Sequence, residues 1–356
     1  MAYASSLRYT GNCLIRQAGS IPHFEKVTRG VSRPAYEFSK KRSSATIRYV
    51  NAPTPDFDAR CHIPVLLDEV LELSELKPGM VVVDGTLGAG GHSREMLRRI
   101  LPGGKLIAID RDPAAAAAAK ASLDLEFPEA KAAGAIRIFN ASYRDLPYIL
   151  QQEKLESVDR ILVDLGLSSD QLADRQRGFS FKLGGPLDLR FNPEDGIPAS
   201  VWIEREKEET IANAIYQFGE ERFSRRIAKA ICLRRLTDPI KTAEQLKELI
   251  HRCVPGKIHG RVDSATRTFQ ALRIVVNEEL KHLEDSLEKF PELLSIDGRF
   301  LAISFHSLED RLVKNAFRDN PKLERVTKKP VVASAAEQAR NPRSRSAKLR
   351  VARRFM

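Results

Sequence analysis

Between residues 80 and 164 one pattern recurs: a short apolar run ends in an acidic or amide residue, and a stretch of helical periodicity follows. Val81–Asp84, Leu106–Asp110, Ile136–Asn140 and Arg160–Asp164 are the runs, with helical stretches at 91–101, 113–124 and 145–153. Runs of this kind, alternating with helices, read as strands covered on both faces, so the expected fold class is α/β with a parallel, doubly wound sheet. Pro113 suits a first helical turn, and the alanines 114–119 that follow are strong helix formers.

After residue 170 the strand rhythm stops for more than a hundred residues. Amphipathic helices are expected at 208–217, 220–236, 243–253 and 265–289, which reads as a helical insertion. The sheet resumes at Arg299–Phe305 ("RFLAISF"), followed by a helix at 307–318 and a last strand in "AKLRVARR" from residue 347. The expected division is a basic extension at 1–57, a sheet domain made of 58–172 and 293–356, and an insertion at 173–292. There is no internal repeat.

Charge is uneven. Residues 1–50 hold nine Lys/Arg against two acids and residues 321–356 eleven against two, so the ends carry +16 of a net +11 and the remainder comes to −5. A polyanion would be gripped by basic ends and local patches and not by a uniformly positive body. Cys13, Cys61, Cys232 and Cys253 form no C-x-x-C pair, which argues against a zinc site or a disulfide framework and for a reducing compartment, so no metal is expected. No apolar run has the length of a membrane span, and a soluble, cytoplasmic protein is expected. The first fifty residues have the composition of an organellar transit peptide, which leaves an organelle matrix as the alternative; a poorly ordered extension is an equally plain reading.

The stretch "DGTLGAGGHS" (84–93) joins the first strand to the helix after it. Gly88, Gly90 and Gly91 there let backbone approach a ligand closely. Such a turn serves dinucleotide dehydrogenases and S-adenosylmethionine methyltransferases alike. Asp110, nineteen residues past Gly91, is placed to accept from ribose hydroxyls in either class. The glycine spacing departs from the G-x-G-x-x-G that cradles a pyrophosphate, which favours a cofactor without phosphates. Asp164 ends the fourth strand at the ligand-binding edge, and Ser168, Ser169 and Gln171 follow over that edge. On the residues alone, His92 either donates to a cofactor carboxylate or caps the turn.

Ten blocks in order carry a resemblance: "HIPVLLDEV" (62–70), "DGTLGAGGHS", "AIDRDP" (108–113), "LVDLGLSSDQLAD" (162–174), "RGFSF" (177–181), "GPLDLR" (185–190), "YQFGEERFSRRIAKAI" (216–231), "ATRTFQALRIVVNEEL" (265–280), "ISFHSLEDRLVK" (303–314) and "NPRSRSAKLRVARR" (341–354). Together they closely resemble the ribosomal RNA small-subunit methyltransferase H family. The resemblance implies a Rossmann-like class I S-adenosylmethionine methyltransferase sheet with an inserted α-helical domain that recognises RNA. The activity it implies is N4-methylation of a cytosine in the decoding region of 16S-type ribosomal RNA, on free RNA or a 30S-type subunit. It also implies cofactor contacts at Gly90, Gly91, His92, Asp110, Asp164 and Gln171, with Tyr143 offering an aromatic face to the adenine where the family commonly has phenylalanine. Residues 1–57 match nothing in the family pattern, and the oligomeric state stays open, a homodimer included.

Methyl transfer to an amine needs in-line positioning and acceptors for the amino protons, which makes Asp164 and Ser168 the catalytic candidates. The loop "DLGLSS" lacks the Pro-Pro-aromatic motif of other amino-methylases. Phe179, Phe181, Phe305 or His306 is therefore expected to hold the base, with ordinary core packing the competing explanation for each. Arg222, Arg225, Arg226, Arg234, Arg235, Arg267 and Arg273 are candidate phosphate contacts, as is "RSRSAKLRVARR". A methyltransferase for another RNA position and an RNA-binding assembly factor without catalysis are the alternatives.

Overall fold

The computed structural model describes residues 63–254 and 263–356. The basic extension, Cys13 and Cys61 lie outside the described residues. Seven strands, β1 (Val81–Asp84), β2 (Lys105–Asp110), β3 (Ile136–Asn140), β4 (Val158–Asp164), β5 (Leu294–Ser304), β6 (Leu323–Arg325) and β7 (Lys348–Arg354), form one sheet in the order β3-β2-β1-β4-β5-β7-β6. The first five run parallel, and β7 and β6 close the edge antiparallel.

Side chains alternate along the strands, so each face builds its own core. Val82, Leu106, Leu162, Leu301 and Val351 point into one cluster with Val70, Met96, Leu97 and Ile100. These last come from α1 (Leu67–Ser74) and α2 (Gly91–Ile100), and α3 (Pro113–Glu126) and the short α4 (Pro128–Ala132) follow β2. Val83, Ile107, Ile161, Val163 and Phe300 point the other way, against Leu146 and Ile149 of α5 (Leu146–Gln152).

After β4 and a short helix α6 (Ser169–Ala173), the chain builds α7 (Ala199–Arg205), α8 (Glu208–Gly219), α9 (Ser224–Arg234), α10 (Ala243–Cys253) and α11 (Ala265–Asn277) around a separate core containing Ile211, Ile215, Ile227, Ile231, Leu246 and Phe269. The helix expected to run unbroken over 265–289 stops at Glu278, which turns left-handed (φ 49°), and α12 (Glu279–Leu293) begins in a new direction. Leu283, Leu287 and Phe290 of α12 pack into the sheet core. The stretch 173–292, read above as one insertion, therefore divides: α12 is the crossover helix from β4 to β5, and the excursion proper ends at Asn277. α13 (Ser307–Asp319) and α14 (Ala335–Arg340) complete the fold. The sequence pattern does not show α7, β6 or α14; α7 has seven residues, α14 six and β6 three, too short for a periodicity to register. Among the described residues no helix is long and apolar enough to cross a membrane.

Candidate active site

The strand order fixes where a ligand can sit. From β1 the chain steps to β2 and β3 in one direction, and β4 and β5 lie in the other. At such a switch point the connections leave toward opposite faces and open a crevice at the carboxyl ends of the strands. The loops after β1 and β4 flank that crevice, which is a cavity of about 670 Å³, within the usual size range of ligand sites.

Gly91, His92, Asp110, Tyr143, Asp164, Ser168 and Gln171 all line this cavity, and Gly90 sits just behind the wall. The glycines serve different ends. Gly88 and Gly90 adopt left-handed backbone (φ 51° and 78°) that makes the turn into α2. Gly91 is needed for space, because a Cβ there would overlap the Pro64 ring. Gly91→Ala is expected to push the segment before α1 outward and cost about 1–3 kcal/mol by overpacking; urea melts of the variant would measure it, and an unchanged midpoint would show that Pro64 yields freely.

The Asp110 carboxylate organises the loop. It accepts from Gly88 N at 2.7 Å and from Asp112 N at 2.8 Å, and one acceptor lone pair on each oxygen remains for a ligand. Burial raises its pKa. His92 donates from Nε2 to the Val65 carbonyl at 3.0 Å, which leaves Nδ1 facing Asp164 at 4.0 Å. Ser168 and Gln171 bond reciprocally as the N-cap of α6: Ser168 Oγ accepts from Gln171 N, and Gln171 Oε1 accepts from Ser168 N. The Ser168 hydroxyl keeps its proton for donation. Tyr143 is buried beneath the cavity, and burial raises its phenol pKa so that it stays neutral.

Asp164 is incompletely satisfied. Its backbone N–H donates to Thr86 Oγ1 at 2.7 Å, but Oδ1 is buried with no hydrogen-bond partner among the described residues. Burial first, and the nearby Asp84 second, push its pKa up to about 7. Asp84, the first residue of the glycine-rich stretch but not among the expected site residues, is itself buried, accepts from Ser93 Oγ at 2.7 Å and is raised to about 6. A buried acceptor without a partner is rare in folded proteins and points to a group that arrives with the ligand.

Further along the cavity Glu279 grips Arg273 through a two-bond fork, 2.8 and 2.9 Å, beside Glu309. Arg273 and Glu279 stand at the carboxyl end of α11 and the start of α12; both fall in the block at 265–280, but the break at Glu278 that lets them pair carries no sequence signal.

Phe179, Phe181, Phe305 and His306 all line the cavity. Phe179 stacks on Phe191 at 5.7 Å, and Phe181 meets Phe269 at 5.1 Å. His306 lines the cavity and also caps a helix. It forms the N-cap of α13, its Nδ1 accepting from Glu309 N while Glu309 Oε2 accepts from the amides of Phe305 and His306. Gly166 packs under Phe305, 2.7 Å from ring to a would-be Cβ, so the loop after β4 and the ring fit only with glycine there.

The arginines expected as phosphate contacts separate. Arg273 is held by Glu279. Arg235 donates to the carbonyls of Ile203, Glu204 and Glu206, and Arg234 pairs with Asp238, so both staple the insertion together. Arg222, Arg225, Arg226 and Arg267 remain exposed.

Comparison with known proteins covers nearly all of this structure. Residues 59–355 match the family model described as the MraW methylase family. The ribosomal RNA small subunit methyltransferase H of Rhodopirellula baltica is 47% identical over 302 residues, spanning 82% of this chain and 91% of the relative. The proteins of that same name from Thermomicrobium roseum (45% over 312 residues; 83% and 94%) and Fervidobacterium nodosum (45% over 296 residues; 82% and 97%) are similar to a like degree. With the sheet, the insertion and the cavity all inside the matched region, the chain belongs to the MraW methylase family and takes its methyl group from S-adenosylmethionine.

Proposed function

We propose that this protein methylates the exocyclic N4 of one cytosine in the decoding region of small-subunit ribosomal RNA, in whichever compartment holds 16S-type subunits, cytoplasm or organelle matrix. The observation that carries this reading is the unpartnered Asp164 Oδ1 in the wall of the cavity at the switch point. The names of the relatives, small-subunit ribosomal RNA methyltransferases, support the choice of RNA.

The residues present fit the donor. Carboxylates at Asp110 and Asp164 stand among apolar surface from Leu87, Leu165 and Phe305, which suits a cationic sulfonium on an apolar chain with a ribose attached. Bound there, S-adenosylmethionine supplies an electrophilic methyl carbon. The glycine turn and His92 would hold its amino-acid end, Asp110 the ribose hydroxyls and Tyr143 the adenine, with Gln171 bracing the loop over it. Asp164 Oδ1 would accept an N4 proton of the cytosine as that nitrogen takes the methyl group and the sulfur–methyl bond breaks with its electron pair left on sulfur, and Ser168 would donate to the base edge. Phe179 and Phe305 wall the base against water. Reaching such a site requires a base splayed from its stack, so incompletely paired RNA in a subunit is the expected substrate.

The test is to incubate the purified protein with radiolabelled donor and small subunits from cells lacking the enzyme, then map the modified nucleotide. Label at one N4-methylcytidine is expected; label at another position, or donor binding without any transfer, would overturn the reading.

A further inference from the structure

We propose that Lys182, Arg343 and Arg345 form a phosphodiester clamp at the mouth of the cavity, gripping the RNA backbone on either side of the entering base; this rests on the RNA reading above. Among the described residues the cavity wall holds five arginine and lysine side chains, the other two being Arg111 and Arg273. Arg273 is neutralised by the Glu279 fork. Arg111 is tied inward, donating to the Asn277 carbonyl at 2.6 Å with its guanidinium over the Phe191 ring. Lys182 and Arg345 are exposed and make no hydrogen bond or ion pair among the described residues. Arg343 is half-buried and donates to the Ser169 hydroxyl; Asp170 is a nearby carboxylate but makes no ion pair or hydrogen bond with it, so most of its donors stay available.

The contrast with the rest of the basic C-terminus is informative. Lys348 and Arg350 both pair with Asp310, Arg353 pairs with Asp297 and Glu324, and Arg354 donates to the carbonyls of Glu292 and Leu294. The strand expected to touch RNA thus uses its cations to hold the sheet edge. The unmatched cations are in the turn before it, and that turn is fixed: Ser344 is fully buried and bonds to the Asn341 carbonyl, and Asn341 Nδ2 donates to the Ile63 carbonyl.

A nucleotide entering the cavity can bring its base inside, but its phosphates cannot follow without losing hydration that nothing within replaces. They stay at the mouth, and fixed cations lacking a carboxylate partner are what a phosphodiester needs there; Arg343 and Arg345 add the guanidinium fork that matches phosphate oxygens. The same chemistry could serve the donor's own carboxylate, so the test must separate the two anions.

Lys182→Ala and Arg345→Ala remove exposed side chains with no internal partners, so both variants should fold as the parent does. Calorimetry with S-adenosylmethionine alone should give an unchanged donor Kd. Binding to small subunits, followed across salt concentrations, should weaken, and the slope of log K against log salt should shrink by about 0.7 for each lost phosphate contact. A parental slope in both variants, with the parent active, would overturn the clamp while leaving the methylation reading intact. Weaker donor binding with a parental slope would overturn it too, by assigning the anion to the donor. A parent that leaves small-subunit RNA unmethylated would instead defeat the functional reading on which the clamp rests.

Discussion

Asp164→Asn is expected to cut methyl transfer by about 10²–10⁴-fold, the usual contribution of a proton-accepting group, and at the same time to make the protein more stable above neutral pH. The two effects share one cause. The folded pKa of Asp164, about 7, lies above the ordinary value of 3.8. Between those values the folded state holds a proton that the unfolded chain has released. The stability this group contributes is therefore full below about pH 4 and is lost as pH rises through 7. An amide of the same shape never ionises and escapes that loss. At about 1.4 kcal/mol for each tenfold change in acidity, the gain at pH 8 is about 2–4 kcal/mol, at the lower end because the side chain is 19% exposed at the cavity wall. Melting curves at pH 5 and pH 8 check the sign: the variant's advantage should widen with pH. The parent's kcat/KM should rise through about pH 7 as the acceptor ionises. A variant that loses activity and is less stable at pH 8 would mean that Asp164 holds the loop together and accepts no proton.

Arg177→Met is expected to cost about 3–5 kcal/mol, the range for stripping one partner from a buried ion pair. Arg177 meets Asp112 at 2.9 Å, with both side chains largely buried, and donates from Nη2 to the carbonyls of Arg190 and Phe191. Asp112 is also the N-cap of α3, accepting from Ala114 N. Removing the guanidinium leaves a buried carboxylate beside the glycine loop and two carbonyls without donors. The double variant Asp112→Asn/Arg177→Met should recover part of the loss, because it also removes the stranded charge. Chemical denaturation of the four proteins in this cycle gives the coupling directly, and additive single effects would show that the pair does not act as a pair.

The sheet domain was legible because its strands are buried on both faces and so read as continuous apolar runs; β1 and β3 begin and end where the pattern says they do. The cavity wall was legible where its residues follow a strand end, as Asp110 and Asp164 do. What could not be read depends on distance along the chain. Arg177 lies 65 residues from Asp112, and nothing local marks the two as partners. The break at Glu278 was hidden because the periodicity of α11 continues into α12, and a left-handed glutamate gives no sequence signal as a glycine would. His306 shows a second limit: the sequence placed it beside a strand end but not as the cap of α13, a role its Nδ1 takes while the ring lines the cavity. The internal partners of Arg234, Arg235 and Arg273 were hidden as well, since composition records their charge but not the carbonyls and carboxylates already facing them.

The excursion that begins after α6 and ends at Asn277 leaves and rejoins the sheet domain on the crevice side, because α12 then carries the chain back to the start of β5. No strand of the sheet lies between those two points, yet Arg177 there holds Asp112, and Phe179, Phe191 and Phe269 there wall the cavity. A scaffold wired this way lets the sheet assemble without the excursion while the cavity is finished only when both are in place, so any graft at this seam must rebuild that wall.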